Sequence, residues 1–203
     1  MVITIYNRRN DGRQAEKSGN VTLGVERERD LIRRTSMADE SAFEELYQVY
    51  YERLYRFVLR VTGRSELIEE IINDVMYVVW EKASTYDHNC KPSTWIFGIA
   101  FNKARKSLQV PRAVAAERSL NEEDESALDD NWFKQVEQEN WLNIAFESLS
   151  VEHRAVVEFT YFHGMHYHEI AEIMNCPENT VKTRMFHARR NLAAVLKNAA
   201  EAH

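Results

Sequence analysis

Apolar residues recur every three or four positions along most of this chain, and this spacing constrains its fold more than any other feature. The pattern is helical from residue 26 to about residue 108, and it returns after about residue 132. Only 3 prolines and 6 glycines occur among the 203 residues, so few positions interrupt helices. We therefore predict an all-α protein and not a turn-rich β fold.

Three helices are expected between Asp39 and about residue 108. Asp39 is a candidate N-cap for a long amphipathic helix, which Gly63 ends. The next helix opens at Ser65 and is apolar almost all round, which is typical of the centre of a bundle. A polar loop follows, and the third helix begins at Ser93 or Thr94.

An acidic stretch divides the chain into two helical parts. Residues 117–139 hold nine acidic and two basic residues, a net charge of −7, with little apolar periodicity. We predict a flexible N-terminal tail (1–25), a small helical domain (26–109), a flexible acidic linker (110–132) and a second small helical domain (133–203). The helices of that second domain are expected at roughly 133–148, 151–163, 166–174 and 177–197.

The distribution of charge matters more for function than its sum. The net charge of −6 counts against a nucleic-acid binder, but residues 177–197 hold five basic residues and one acidic residue. No apolar run approaches the ~20 residues of a membrane span, and the first residues lack a secretion signal. Two distant cysteines give no disulfide framework. We expect a cytoplasmic protein without membrane insertion.

Residues 166–192 predict a helix-turn-helix. The first helix, "HYHEIAEIM", has one apolar side; Asn175 tolerates the left-handed conformation that ends a helix, and Pro177 suits the first position of the next. The second helix has an apolar stripe with spacings of four and three. Its opposite side is polar and basic: Asn179, Thr180, Lys182, Thr183, Arg184, His187 and Arg190. Such a pair places the second helix in a DNA major groove.

The C-terminal stretch "LSVEHRAVVEFTYFHGMHYHEIAEIMNCPENTVKTRMFHARRNL" (149–192) resembles region 4 of bacterial extracytoplasmic-function sigma factors. The matching positions are Leu149, Arg154, Gly164, Tyr167, Glu169, Ile170, Ala171, Thr180, Val181, Lys182, Thr183, Arg184, Ala188 and Arg189. The departures are Ser150, where the family usually has proline, and Asn175 and Asn179, where glycine is common.

The N-terminal part resembles region 2 of the same family. The matching stretches are "DESAFEELYQVYYERLYRFVLRVTG" (39–63), "IEEIINDVMYVVWEKASTYD" (68–87) and "KPSTWIFGIAFNKARKSLQ" (91–109). Two matching regions in the family's order are more specific than either one. Gly98 and Phe101 depart from the pattern, because basic or polar residues are frequent at those positions.

The resemblance implies a transcription initiation factor without catalytic residues, metal or cofactor. It would bind core RNA polymerase and direct it to promoter DNA, with region 4 reading the −35 element and region 2 the −10 element during strand opening. The acidic linker would follow a polymerase channel. Family members are commonly held by an anti-sigma factor, so the resemblance also implies such a partner.

Three sets of residues follow from position within the resemblance. The −35 set is the polar side of the last helix: Asn179, Thr180, Lys182, Thr183, Arg184, His187 and Arg190. The −10 set combines cationic, polar and aromatic groups for single-stranded DNA: His88, Asn89, Lys91, Ser93, Thr94, Trp95, Lys103, Arg105 and Lys106. The polymerase-docking set is Glu70, Asn73, Asp74 and Tyr77.

Simpler interpretations of these residues stay open. Trp95 is as well suited to the core as to a DNA base. Glu70 and Asp74 fit a solvated face, and Lys103 and Lys106 fit charges that complement a helix C-terminus.

Two other function classes are compatible with parts of the sequence. A helix-turn-helix regulator that does not replace a sigma factor would need a ligand pocket or dimer seam in its N-terminal domain. A metal-dependent helical enzyme would use His163, His166, His168 and Cys176. These four converge poorly, since His168 and Cys176 lie ~12 Å apart along a helix and zinc needs ligands at ~2.0–2.3 Å.

Overall fold

Seven α-helices account for nearly all of residues 24–109 and 146–201, which are the residues that the computed structural model describes. The helices are α1 (Val25–Thr35), α2 (Glu40–Thr62), α3 (Ile68–Lys82), α4 (Pro92–Leu108), α5 (Val151–Tyr161), α6 (Tyr167–Met174) and α7 (Glu178–Glu201). No strand occurs within the two described ranges, so the all-α prediction is confirmed. The predicted tail, the acidic linker and most of the helix expected near 133–148 lie outside them.

The ends of α2 follow the local chemistry of the sequence. The Asp39 carboxylate accepts a hydrogen bond from the Ala42 N–H at 3.1 Å, which confirms the predicted N-cap. Gly63 ends the helix in the left-handed conformation, with φ of +66°. A side chain on that residue would be strained.

The starts of α3 and α4 differ from the predictions by a few residues. A short 3₁₀ turn, Ser65–Leu67, precedes α3, so Ser65 opens that turn and not the α-helix itself. Helix α4 begins at Pro92, one to two residues earlier than predicted. Proline is suited to the first helical turn because an N–H group at that position would have no hydrogen-bond partner within the helix.

The predicted helix-turn-helix is formed by α6 and α7. Asn175 adopts the left-handed conformation with φ of +47°, and the Cys176 N–H donates to the Ala171 carbonyl at 3.1 Å. Pro177 lies just before α7 and not at its first position. Its carbonyl accepts from the Thr180 and Val181 N–H groups, as a capping residue does.

The N-terminal half (α1–α4) and the C-terminal half (α5–α7) pack against each other. Phe57 of α2 stacks on Phe159 of α5 with ring centroids 5.1 Å apart, and Phe101 of α4 lies 6.2 Å from the same ring. Arg60 donates to the Glu158 carboxylate at 3.1 Å across this boundary, where both side chains are buried. In the described residues, the two halves therefore share one core, an arrangement that the sequence did not predict.

Within the same residues, no helix is long and apolar enough to cross a membrane.

Candidate nucleic-acid and polymerase interfaces

Helix α7 has one buried stripe and one open side. Val181, Met185 and Ala188 are almost completely buried against the rest of the C-terminal half. Of the residues predicted to read DNA, Asn179, Lys182, Thr183 and Arg190 are exposed, and Thr180, Arg184 and His187 are half-buried. The set spans twelve residues of helix, or ~16 Å, which suits insertion into a major groove.

Several side chains of α7 are already paired with groups of their own half. Lys182 forms an ion pair with Glu178 at 2.8 Å, and this partner lowers the pKa of the Glu178 carboxyl. The Thr183 hydroxyl donates to the Asn179 carbonyl at 2.9 Å. The Arg184 guanidinium lies 3.5 Å from the Cys176 sulfur, so it is held against the turn between the helices. Asn179 and Arg190 are exposed members of the set and would be the most accessible to DNA whose major groove receives α7.

His187 lies at the edge of this open side, next to another histidine. Its ring centroid is 6.3 Å from that of His153 on α5. Burial lowers the pKa of His153, and neighbouring His187 lowers it further. His153 is therefore neutral at physiological pH and adds no cation beside α7.

The −10 set is arranged around the loop before α4 and along α4. His88, Asn89, Lys91, Arg105 and Lys106 are exposed, whereas Ser93, Trp95 and Lys103 are half-buried. His88 takes the left-handed conformation with φ of +63°, and its ring packs edge-on against Tyr86 at 4.7 Å. Asn89 donates to Asp87 at 2.7 Å, so its amide is turned into the loop.

Trp95 combines the two interpretations that the sequence left open. One side of the indole packs on Tyr86, with ring centroids 5.3 Å apart, and Tyr86 is itself buried. The indole is only half-buried, so part of it reaches solvent beside the exposed loop. The structure thus gives Trp95 a packing role, and the residue is not fully enclosed.

Thr94 differs from the rest of the predicted −10 set in its burial. Its side chain is buried, and its hydroxyl donates to the Glu169 carboxylate on α6 at 3.3 Å. Lys91 reaches the same carboxylate oxygen at 3.2 Å. The other oxygen of Glu169 accepts the His166 N–H at the start of α6. In this arrangement the C-terminal half covers Thr94 and engages Lys91.

The electrostatics of Glu169 favour this contact. Burial raises the pKa of the Glu169 carboxyl, but hydrogen bonds from the His166 N–H, Lys91 and Thr94 lower it, and the net shift is downward. The carboxylate is therefore charged at neutral pH and holds Lys91 as an ion pair.

The polymerase-docking set lies on α3. Glu70, Asp74 and Tyr77 are exposed, and 54% of the Tyr77 surface reaches solvent. Asn73 accepts a hydrogen bond from the Tyr47 hydroxyl at 3.2 Å. Lys103 pairs with Asp74 at 2.8 Å, so one member of the −10 set neutralises one member of this set.

The histidine-rich stretch does not form a metal centre. Among residues 24–109 and 146–201, no group of three or more histidine, cysteine, aspartate or glutamate side chains is placed to hold a metal ion. His166 and His168 stack with centroids 5.7 Å apart, whereas His163 is enclosed by Phe57, Phe97 and Phe159.

Comparison with known proteins decides the family. The model of sigma-70 region 2 matches residues 46–110, and that of sigma-70 region 4 matches residues 141–192. The ECF RNA polymerase sigma factor RpoE of Cereibacter sphaeroides is 32% identical over 149 residues, which cover 72% of this chain and 82% of that protein. The chain belongs to the extracytoplasmic-function sigma factors.

Further relatives and solved structures agree with this assignment. SigL of Mycobacterium tuberculosis is 27% identical over 171 residues, covering 79% of this chain and 92% of that protein. SigW of Bacillus subtilis is 25% identical over 178 residues, covering 82% and 95%. CnrH, solved with the cytosolic domain of CnrY, has a similar fold at a TM-score of 0.64 and 19% identity, covering 85% of this chain and 98% of that chain. RpoE of Bartonella quintana, solved with the anti-sigma factor NepR, gives 0.59 at 20% identity, covering 76% and 96%.

This sigma factor is thus a transcription initiation factor that directs RNA polymerase to promoters. The residues predicted to contact the −10 element and the polymerase fall within the region 2 match, and α5–α7 fall within the region 4 match apart from the end of α7. The alternative of a helix-turn-helix regulator that does not replace a sigma factor is wrong.

Two residues of the boundary between the halves have roles that sequence reasoning missed. Glu158 lies within the helix predicted at 151–163, and Glu169 is one of the positions that match the family. The one available signal was an acidic residue within each mostly apolar stretch. Their partners, Arg60 and Lys91, are 98 and 78 positions away, beyond the reach of periodicity.

Proposed function

We propose that region 4 reads the −35 element through the open side of α7. The observation that carries this proposal is the division of α7 into a buried apolar stripe and an exposed polar and cationic face. Asn179 and Thr183 would reach base edges, while Lys182 and Arg190 would contact phosphates or guanine edges. Arg184 and His187 would join them after small side-chain movements.

Region 2 would hold the melted −10 strand. His88, Asn89, Lys91, Ser93 and the accessible side of Trp95 would take an unstacked base. The exposed cations Arg105 and Lys106 would follow the backbone, because single-strand sites combine stacking groups with positive charge. Tyr77, Glu70 and Asn73 would dock on the polymerase, and Asp74 would join them.

The sigma factor would act without catalysis of its own and in the cytoplasm, where RNA polymerase works. The roles of two segments stay predictions. The residues before α1 would be a flexible tail, and the acidic linker would follow a polymerase channel. An anti-sigma partner is supported by the related folds solved with an anti-sigma factor or with the cytosolic domain of another protein.

Run-off transcription tests this function. Core polymerase from the same bacterium, incubated with sheared genomic DNA, should yield discrete start sites only when the sigma factor is added. Sequencing of the transcripts would give the shared −35 and −10 sequences. If the protein neither binds core polymerase nor changes the start sites, the proposed function is wrong.

A further inference from the structure

The loop of residues 86–91, which precedes α4, is bonded to a side chain of α1. The Arg29 guanidinium donates to the His88 carbonyl at 3.4 Å. The Tyr86 hydroxyl accepts another hydrogen bond from Arg29, and this bond raises the pKa of the guanidinium. The same hydroxyl donates to the Cys90 carbonyl. One arginine of α1 therefore supports the loop at its start and in its middle, and it reaches the end of the loop through Tyr86.

The backbone of this loop includes one conformation that needs support. His88 has φ of +63°, in the left-handed region, which is disfavoured about tenfold for a residue with a side chain. On either side of it, the Asp87 carboxylate accepts from the Asn89 N–H at 3.1 Å and from the Asn89 amide at 2.7 Å. Such a conformation persists when the surrounding structure holds it. The bond from Arg29 to the His88 carbonyl is a contact of that kind.

Arg29 is held more closely than the arginine one turn later on the same helix. The Arg29 side chain is 33% exposed, whereas the Arg33 side chain is 55% exposed and pairs within α1. Glu26 also accepts from Arg29, but it takes the Nη1 atom at 3.1 Å, while the His88 carbonyl takes Nη2. The two contacts therefore do not compete, and Glu26 helps to hold the guanidinium in place.

From these contacts we infer that Arg29 is a positioning residue for the −10 strand: it holds the left-handed turn at His88 and so fixes the loop that would take the unstacked base. The inference rests on the proposed function, because region 2 would use this loop to bind that base. Arg29 lies before residues 46–110, which match the region 2 model, so the match gives it no role. A loop that already has its bound conformation loses less conformational entropy when the strand binds.

Binding of single-stranded DNA to the holoenzyme tests this role. The probe is a fluorescent oligonucleotide with the non-template −10 sequence of the mapped transcripts, compared with oligonucleotides in which each base is exchanged in turn. Arg29→Ala should weaken binding of the matched strand about tenfold, which is the cost of the left-handed turn, and should narrow the preference over the exchanged strands. Arg29→Lys keeps the charge but loses the planar fork that serves two acceptors, so its affinity should fall between. Arg33→Ala is the matched control and should bind as the parent does.

A double variant tests whether Arg29 acts through the turn. Glycine adopts the left-handed conformation without steric cost, so His88→Gly removes the need for support, although it also removes the His88 ring. In that background, Arg29→Ala should weaken strand binding about twofold or less. An equal loss from Arg29→Ala in both backgrounds would overturn the inference.

The affinity for core polymerase separates positioning from a loss of stability. Arg29→Ala should bind core polymerase as tightly as the parent and keep the same α-helical circular dichroism. If Arg29→Ala instead weakens the binding of core polymerase, the matched strand and the exchanged strands to the same extent, Arg29 serves the stability of the fold and the inference is wrong.

Hydrogen exchange in the free protein tests the contact without DNA. The Asn89 N–H is bonded within the loop, so Arg29→Ala should speed up exchange in a peptide that covers residues 86–91 and leave the peptides of α7 unchanged. If the parent holoenzyme shows no preference for the matched strand, the proposed function fails at region 2, and exchange still reports whether Arg29 orders the loop. Unchanged exchange in the loop, or faster exchange with unchanged strand binding, would overturn the inference.

Discussion

Helices α7 and α4 are both predicted to contact promoter DNA, yet their surroundings differ. Helix α7 buries a single stripe and leaves its polar side to solvent. Helix α4 is buried in two directions: Phe97 packs on Tyr50 and Phe57 of α2, and Phe101 packs on Phe159 of α5. The predicted −35 side of α7 is therefore exposed, whereas part of α4 is covered by the C-terminal half.

This difference shows what separating the two halves would cost. A helix with one apolar stripe can bury that stripe against its own domain. A helix with two apolar sides needs a second packing surface to bury the other side. Separating the halves would expose Phe101 and part of Phe159, and exposed apolar surface costs about 25 cal/mol per Å². Any partner that separates the halves must offset that cost.

The largest effect is expected at the buried ion pair that joins the halves. Arg60→Ala leaves the buried Glu158 carboxylate without its guanidinium partner and with only the His163 ring, 3.5 Å away, beside the same oxygen. The change should lower the free energy of unfolding by about 3–5 kcal/mol. Denaturant unfolding of the full chain measures this change. The double variant Arg60→Met/Glu158→Leu should recover much of the loss, since it leaves no unpaired charge.

A matched control uses a pair that does not cross the boundary. Arg33 pairs with Asp30 on the exposed surface of α1, so Arg33→Ala should leave the unfolding midpoint nearly unchanged. Equal losses for Arg60→Ala and Arg33→Ala would show that the boundary is not buried in solution.

The second effect concerns the contact between the halves and not stability. Gly98→Arg places a long side chain where Ile173 now lies, so the halves should separate in the free protein. Energy transfer between fluorophores at the exposed positions Gln48→Cys and Ala193→Cys, in a background with Cys90→Ala and Cys176→Ala, should then change. Gly98→Ala is the matched control, because its Cβ at 3.7 Å from Ile173 makes only ordinary contact. Energy transfer that is the same for the two variants would place α6 away from α4.

The sequence predicted the local structure well and the long-range contacts poorly. Asp39, Gly63 and Asn175 carry their conformational preferences within a few residues, so helix ends and the helix-turn-helix turn were predictable. Thr94 shows the limit: its polar loop suggests exposure, but its burial depends on Glu169, 75 positions later. The sequence showed that Gly98 and Phe101 depart from the family pattern. It did not show that both residues face the C-terminal half, Gly98 at Ile173 and Phe101 at Phe159.

The third effect tests the accessible surface of α7. Arg190→Ala should weaken promoter binding, and the loss of one phosphate contact should lower the slope of log affinity against log salt by about one unit. Fluorescence anisotropy of holoenzyme on the promoter at several salt concentrations gives that slope. Arg33→Ala is the control, because Arg33 is an exposed arginine on α1, in the other half of the molecule, where it pairs with Asp30. Equal slopes for the two variants would contradict the proposed groove face.

The smallest effect is a pH dependence of the contact between the halves. The pKa of Glu169 lies below its ordinary value in the folded protein, so its contribution to this contact is fully present above that ordinary value. The contribution is lost as pH falls through the lowered pKa, because a protonated carboxyl no longer pairs with Lys91. The groups that face this carboxylate are Lys91, Thr94 and the nearby Cys90 from region 2, and the His166 N–H from its own helix. Cys90 does not compete, since burial raises the pKa of its thiol and keeps it neutral.

This effect is measured by the energy transfer between fluorophores at Gln48→Cys and Ala193→Cys as the pH is lowered stepwise from 7. We expect a constant signal near neutral pH and separation of the halves only at acid pH, before the α-helical circular dichroism falls. Glu169→Gln is the matched control: its amide oxygen still accepts the His166 N–H, but it has no charge to lose in this range, so its signal should be flatter than that of the parent. Parallel curves for the two proteins would assign the acid transition to other carboxylates and not to Glu169. A flatter curve of energy transfer against pH for Glu169→Gln would show that the contact between the halves depends on the Glu169 carboxylate, which pairs with Lys91.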